Sequence, residues 1–256
     1  MFTIQYFSDI HVDVLHSIKI YSIIRKIKQN IKSDRCVIAG DIGSPYNLNY
    51  LLFLQLLSPL FKQIFIIHGN HEYYNVYKTV LETVEHTKRL LEYNKLDNIY
   101  FLDNSYYDVE DTNYRIIGSV LWSEIKNKIN LTNDFKEICD HSVENNNKLF
   151  EKCKKYLETE IENANKIGKK LIIITHFLPT KELIHQNYLT PMYAKYVENY
   201  ASDLLYLIKD PVKYWIYGHT HKGGIKEING ISCVCNAIGY EKENKEVNYD
   251  MCLTIE

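Results

Sequence analysis

Ten histidines punctuate the 256-residue chain, and five of them stand in short polar motifs directly after apolar runs. Asp9-Ile10-His11 closes the first run, Gly40-Asp41 the second and Gly69-Asn70-His71-Glu72 the third. His176 follows Leu171–Thr175, and Gly218-His219-Thr220-His221 follows Lys213–Tyr217. Imidazole, carboxylate and one neutral amide are ligand types for Mn, Fe, Zn or Ni, and no cysteine lies beside them to make a thiolate site. They are too many for one ion and enough for two when a carboxylate bridges. Two divalent ions roughly 3.5–4 Å apart clamp a phosphoryl group and generate hydroxide near neutral pH. Two such ions less two carboxylates leave two positive charges, and a bridging hydroxide leaves one. A centre of that charge favours an anionic phosphate ester.

These residues need elements to carry them to one place. Phe2–Phe7, Cys36–Ala39, Ile64–His68 and Leu171–Thr175 read as apolar strands. Ser17–Ile31, Tyr46–Phe61 and Asn75–Glu92 read as helices between or after them. Strands alternating with helices imply a parallel or mixed sheet with covered faces, and ligands in such sheets gather at the carboxyl ends of strands. Ile99–Val120 reads as shorter strands with turns, and 123–170 as a polar, helix-rich insertion into a single domain spanning 1–256. The stretch from Lys213 to Leu253 is β-rich, with Asn229-Gly230 as a hairpin turn.

In this order the motifs D-x-H, G-D, G-N-H-E, H and G-H-x-H resemble those of the calcineurin-like metallophosphoesterase superfamily, from Phe2 to about Tyr240. The resemblance implies a four-layer α/β/β/α sandwich of two mixed sheets, with a dinuclear metal site at the strand C-terminal ends. It implies that Asp9, His11 and His221 bind one ion, that Asn70, His176 and His219 bind the other, and that Asp41 bridges them. His71 is similar to the family histidine that contacts the phosphate and protonates the leaving group. A hydroxide bridging the ions would attack phosphorus in line, with no covalent enzyme intermediate. The expected activity is hydrolysis of a phosphodiester or phosphomonoester on a small, nucleotide-like substrate. The expected cofactors are two divalent ions, Mn ahead of Fe, Zn or Ni.

Composition narrows the partners. Thirty Lys and Arg against 32 Asp and Glu give a net charge of −2, without the basic excess of a nucleic-acid or membrane-surface binder. The six cysteines form no C-x-x-C pair and read as buried free thiols. Met1–Phe7 lacks the basic start and long apolar core of a secretory signal. The apolar run Leu51–Phe61 is broken by Gln55, Ser58 and Pro59 and is too short to span a bilayer. The expectation is a cytoplasmic protein with no membrane partner; oligomeric state is left open.

Other residues carry less. His16, His86, His141 and His185 receive no role, and His68 is expected to pack. Glu72 has two readings: an acceptor that orients a histidine, or an acidic residue at a helix start. None of the four arginines lies at a motif, which leaves the metals and His71, with Lys222 as an auxiliary, to meet the substrate charge. Trp122, Phe135, Phe177 and Tyr240 are candidates for the substrate mouth, although packing is favoured for Trp122 and Phe135. Leu121-Trp122 followed by Asn133-Asp134-Phe135, the Thr175–Pro179 tract and the Asn236–Tyr240 ending resemble a subset of small family members. Ser44 stands where the family's DNA-repair nucleases usually carry a histidine, which weakens a nuclease reading. A protein phosphatase and a catalytically silent binding scaffold compete with the small-ester reading; the scaffold is disfavoured because every ligand position is filled.

Overall fold

A computed structural model describes residues 1–127, 131–243 and 247–256. Among the described residues, eleven strands form two sheets. The first joins β1 (Phe2–Phe7), β2 (Arg35–Ala39), β3 (Gln63–Ile67), β4 (Ile99–Phe101) and β11 (Cys252–Ile255). Its order is β11-β1-β2-β3-β4, with β11 antiparallel to β1 and the other pairs parallel. The second joins β5 (Ser105–Asp108), β6 (Tyr114–Ser119), β7 (Lys170–Thr175), β8 (Val212–Ile216), β9 (Gly224–Ile228) and β10 (Ile231–Cys235). Its order is β5-β6-β7-β8-β10-β9; β5 and β9 pair antiparallel at its edges and the interior pairs are parallel.

Strand alternation explains the layering. Ile4, Tyr6, Val37, Ala39, Phe65 and Ile67 meet Ile116, Ile172, Ile174, Ile216 and Val234 in a core between the sheets. The intervening residues Phe7, Cys36, Ile38, Ile64 and Ile66 face outward, under α1 (Ser17–Gln29) and α2 (Leu48–Leu57). Both faces of these strands are buried, so they read as continuous apolar runs. On the far side, Phe150, Cys153, Leu157, Ile161 and Ala164 of a 25-residue helix, Val143–Ile167, cover Ile117, Leu171, Ile173 and Trp215. Their spacing of three and four residues is one helical face. The fold is a four-layer α/β/β/α sandwich of two mixed sheets.

Local chemistry sets most boundaries. The expected helix from Asn75 begins only at Val80, as α3 (Val80–Tyr93), because Thr79 and Glu82 form a reciprocal capping box. Asn75 instead sits in a turn and bridges to Ile138. The helix expected over Tyr46–Phe61 ends at Leu57 and tightens to a 3-10 turn at Ser58–Leu60, where Pro59 interrupts it. Asn229 and Gly230 both take positive φ, 53° and 74°, as the hairpin turn requires. Within 123–170, a short helix α4 (Asp134–Glu137) precedes α5 (Val143–Ile167), and residues 128–130 lie outside the described residues. Helix α5 lies between the parallel strands β6 and β7 in the chain and covers the second sheet. A buried Arg115 on β6 pairs with Asp108 and Glu160 at about 3 Å, far from the motif-bearing strand ends. No described helix is long and apolar enough to cross a membrane.

Candidate metal centre

The motifs lie where β1, β2, β3, β7 and β8 end, so five strands deliver them to one rim. Five residues there adopt the left-handed conformation: Asp9, His11, Asp41, His219 and His221, with φ between 50° and 72°. Such backbone is uncommon outside glycine, although Asn, Asp and His take it more readily than other residues, and it clusters at functional sites where the surroundings enforce it. Hydrogen bonds do so here. Asp9, Ile10 and His11 donate their N–H groups to the carbonyls of Gly40 and Asp41, and His219 donates its N–H to the Asp9 carboxylate at 3.0 Å.

The side chains converge. Ligand atoms of Asp9, His11, Asp41 and His221 all lie within 4.8 Å of one another, and so do those of Asp41, His176 and His219. Asp41 belongs to both groups. Asn70 Oδ1 is 3.1 Å from His176 Nε2 and joins the second group. His11 Nε2 and His221 Nε2 face each other at 2.9 Å. The donor set therefore fits two hard-to-borderline divalent ions in adjoining positions. Space is left for them by glycine: a Cβ on Gly69 would stand 2.2 Å from Asp41 Oδ1 and 2.6 Å from His176 Nε2.

Outer partners fix each ring. His176 Nδ1 donates to the Ala39 carbonyl at 2.9 Å, which turns Nε2 inward. His221 Nδ1 meets Glu243 Oε2 at 2.6 Å, and again Nε2 faces the site. His219 does the reverse, with Nε2 on the Asn199 carbonyl at 3.2 Å, leaving Nδ1 for the centre. Partners of this kind orient metal-binding imidazoles. Burial alone would raise the Asp41 pKa, but His176 and His71 beside it hold its carboxyl well below the usual range. Burial would likewise lower His176; the Asp41 and Asp9 carboxylates outweigh it and push that imidazole up to about 10. Burial lowers His11 to about 3 and pushes His219 down as well. Asp41 is thus held as the cluster's carboxylate, while burial pushes the Asp9 carboxyl up against the opposing pull of His221 and His176.

His71 stands at the rim of this cluster and is held in two ways. Its backbone N–H donates to Asp41 Oδ1 at 2.9 Å, and its ring stacks on Tyr74 at 4.2 Å. Glu72 stands in the first turn of a 3-10 helix, His71–Tyr73, as one of its two readings had it, and it orients no histidine; its partners are backbone N–H groups. It is fully buried and accepts the N–H groups of Gly69, Asp41 and Ile42, at 2.7, 3.1 and 2.7 Å. It ties the loop after β3 to the loop after β2.

Above the cluster opens a cavity of about 560 Å³. Asp41, Asn70, His71, His219 and His221 form its floor, and six tyrosines line it: Tyr74, Tyr188, Tyr193, Tyr196, Tyr200 and Tyr240. Three are committed to histidines, Tyr74 to His71, Tyr200 to His219 and Tyr240 to His11, at 4.2–4.9 Å between rings. Tyr188, Tyr193 and Tyr196 form the outer wall. No lysine or arginine is among the described residues lining it. Lys222 is directed to the Glu243 carbonyl and does not line the cavity. Of the aromatic mouth candidates, only Tyr240 lines it. Phe177 packs beneath His219, Trp122 lies between Tyr73 and Phe177, and Phe135 packs on His141. His68 packs on Phe101 and meets Thr87 at 3.0 Å. His16, His86, His141 and His185 stay outside the cavity lining.

Residues 2–223 match the model of the calcineurin-like phosphoesterases. The chain belongs to that family. The chain is 30% identical to an uncharacterized protein of Acanthamoeba polyphaga mimivirus over 269 residues, covering 96% of this chain and 94% of the relative. Among solved structures it resembles the phosphopantetheinyl hydrolase PptH of Mycobacterium tuberculosis, with a TM-score of 0.67, 13% identity and coverage of 94% of this chain and 90% of that one. It also resembles TT1561 of Thermus thermophilus, at TM-score 0.55 and 11% identity over 92% of this chain and 89% of the other. GAP50, the anchor in the inner membrane complex of Plasmodium, superposes at 0.53 with 16% identity over 96% of this chain and 75% of its own. At these identities the likeness is one of fold.

Sequence reasoning did not find Asn199, Glu243 or the three outer tyrosines, and it marked Asp134 only within the Asn133-Asp134-Phe135 tract, without a role. Of the residues it did not find, only the tyrosines left a signal, four of them between Tyr188 and Tyr200.

Proposed function

We propose that this phosphoesterase hydrolyses a small phosphate ester carrying a flat ring, of nucleotide type, with two divalent ions held by Asp9, His11 and His221 on one side, Asn70, His176 and His219 on the other, and Asp41 between them. Mn is the first choice of metal. The observation that carries the reading is the convergence of these seven side chains into one cluster, of which Asp41, Asn70, His219 and His221 reach the floor of the tyrosine-lined cavity. When bound, two such ions supply a nucleophile from water near neutral pH and stabilise charge on the phosphoryl oxygens.

The protein's own groups do the rest. The cavity is of the size that encloses small ligands, which favours a small ester over a folded protein. In hydrolysis a P–O bond to water's oxygen forms, the ester P–O bond breaks, and the leaving oxygen needs a proton. His71 lies in the cavity floor with its ring fixed by Tyr74, in a position to donate that proton. The Tyr188, Tyr193 and Tyr196 rings offer faces for a base or another planar group. Cytoplasmic location is part of this proposal and rests on the sequence alone.

The test is hydrolysis of bis(4-nitrophenyl) phosphate and 4-nitrophenyl phosphate by protein stripped with chelator and reloaded with Mn. Metal-dependent turnover that vanishes in Asp41→Asn and His219→Ala, with both variants folded, is the expected result. A diester preference points to nucleotide-type phosphodiesters, and a monoester preference to a phosphatase. Full activity in either variant sinks the site assignment.

A further inference from the structure

We infer that Asp134 is a positioning residue that sets the amide of Asn70 for its metal, and so governs the affinity of one ion of the pair. The inference rests on the two-ion reading above. Asp134 opens α4, on the connection between β6 and α5, 64 residues from Asn70. It is only 6% exposed, and its Oδ1 accepts two hydrogen bonds, from Asn70 Nδ2 at 2.8 Å and from the Tyr74 hydroxyl at 2.6 Å.

The chemistry of the amide makes this contact decisive. An asparagine side chain has one end that donates and one that accepts, and only the oxygen serves a hard cation. The two ends exchange places by a half-turn about the last torsion, which is broad and cheap to rotate. An ionised carboxylate accepts and cannot donate. With Asp134 behind it, Asn70 must present Nδ2 to the carboxylate, and Oδ1 is left toward His176 Nε2, 3.1 Å away. The reversed amide would set its oxygen against a buried carboxylate, with a donor pointed into the metal position.

The same contact docks a segment. Asn75 and Ile138 form an isolated backbone bridge, so the loop after β3 and the α4 segment are joined by backbone as well as by Asp134. Tyr74 adds a third link, because its ring stacks on His71 while its hydroxyl holds Asp134. Loss of an outer-sphere partner typically weakens metal affinity about 10–100-fold. Here the loss falls on the ion of Asn70, His176 and His219, because Asp134 touches no ligand of the other.

The experiment is equilibrium dialysis of the whole chain against Mn, with bound ions counted per protein and the spin-coupled pair read by electron paramagnetic resonance. Asp134→Asn is nearly isosteric and lets Asn70 adopt either orientation. Wild type is expected to bind two ions. Asp134→Asn is expected to keep one at wild-type affinity, bind the second about 10–100-fold more weakly and lose the coupled signal at intermediate Mn. Two ions at wild-type affinity in the variant overturn the inference. Equal weakening of both ions also overturns it, because Asp134 would then merely hold the segment in place. Should Asp134→Asn fail to fold, Tyr74→Phe decides: it removes the hydroxyl that donates to Asp134 at 2.6 Å and accepts from Asn70 Nδ2 at 3.3 Å, and is expected to weaken the same ion several-fold, and an unchanged second ion overturns the inference. A wild type that binds no Mn overturns the two-ion reading itself, a different failure.

Discussion

Glu72 Oε1 accepts the backbone N–H of Ile42 at 2.7 Å, across 30 residues of chain. With Gly69 and Asp41 on Oε2, one buried carboxylate gathers the N–H groups of the two loops that carry Asp41, Asn70 and His71. These donors have no strand or helix partner, and an unpaired buried N–H is costly. Glu72→Gln places an N–H donor where one carboxylate oxygen accepted. Burial and the neighbouring Asp41 push the Glu72 carboxyl up to about 8, and a buried N–H left without its acceptor costs about 1–3 kcal/mol, so the variant is expected to lose about that much unfolding free energy in urea denaturation. Turnover falls with it, as the loops shift. Wild-type stability and turnover in this variant would show that the loops hold themselves without Glu72.

The sequence carried the inner ring of the site and not its supports, for a physical reason. Asp9, His11, Asp41, Asn70, His176, His219 and His221 each follow a strand, and the period and apolarity of a strand are local properties. Once the sheets form, the strand ends determine where those residues go. Glu243 reaches His221 from 22 residues away, across the β9–β10 hairpin, and Asn199 reaches His219 from 20, across β8, and each stands in an irregular segment with no period to read. The segment 177–211 is built of 3-10 turns and one short helix, Pro191–Ala194, and nothing in its pattern announces a wall over a metal centre. Glu72 shows a second limit. An acidic residue beside a histidine suggests a side-chain partner, yet its donors are backbone groups, which every sequence carries alike. The start of α3 was different: Thr79-x-x-Glu82 is a capping box in plain view, and local capping outweighs the apolar period that runs back to Asn75.

The outer tyrosines separate recognition from chemistry. Tyr193 and Tyr196 line the cavity but stack on no site histidine; Tyr193 meets Tyr188 edge-on at 5.9 Å. Removing a stacking ring costs a bound base about 1–3 kcal/mol. Tyr193→Ala and Tyr196→Ala are therefore expected to raise KM for a ring-bearing ester by roughly 5-fold or more, leaving kcat within about twofold. KM for a small alkyl phosphate ester, which has no ring to stack, should stay put. Equal losses on both esters, or a fall in kcat alone, would count against a ring-binding wall.

Gly69 tests the space itself. Its φ is not in the left-handed region, so alanine is acceptable to the backbone and only room is at issue. The added methyl would lie 2.2 Å from Asp41 Oδ1 and 2.6 Å from His176 Nε2, closer than any real contact. Neither side chain can retreat freely, because Asp41 is held by the His71 N–H and His176 by the Ala39 carbonyl. The methyl therefore displaces two site residues by a sizeable fraction of an ångström or more. A misplacement near 1 Å costs about 100-fold in rate, so Gly69→Ala is expected to lose roughly 10-fold or more in Mn-dependent turnover. Gly224 is the control: no atom lies within 4 Å of a Cβ built there, and Gly224→Ala should match wild type. Circular dichroism and thermal melting separate a folded, inactive Gly69→Ala from a collapsed one. A folded Gly69→Ala with wild-type turnover would mean that Asp41 and His176 do not work in the positions seen here, and the seven-ligand arrangement would have to be redrawn.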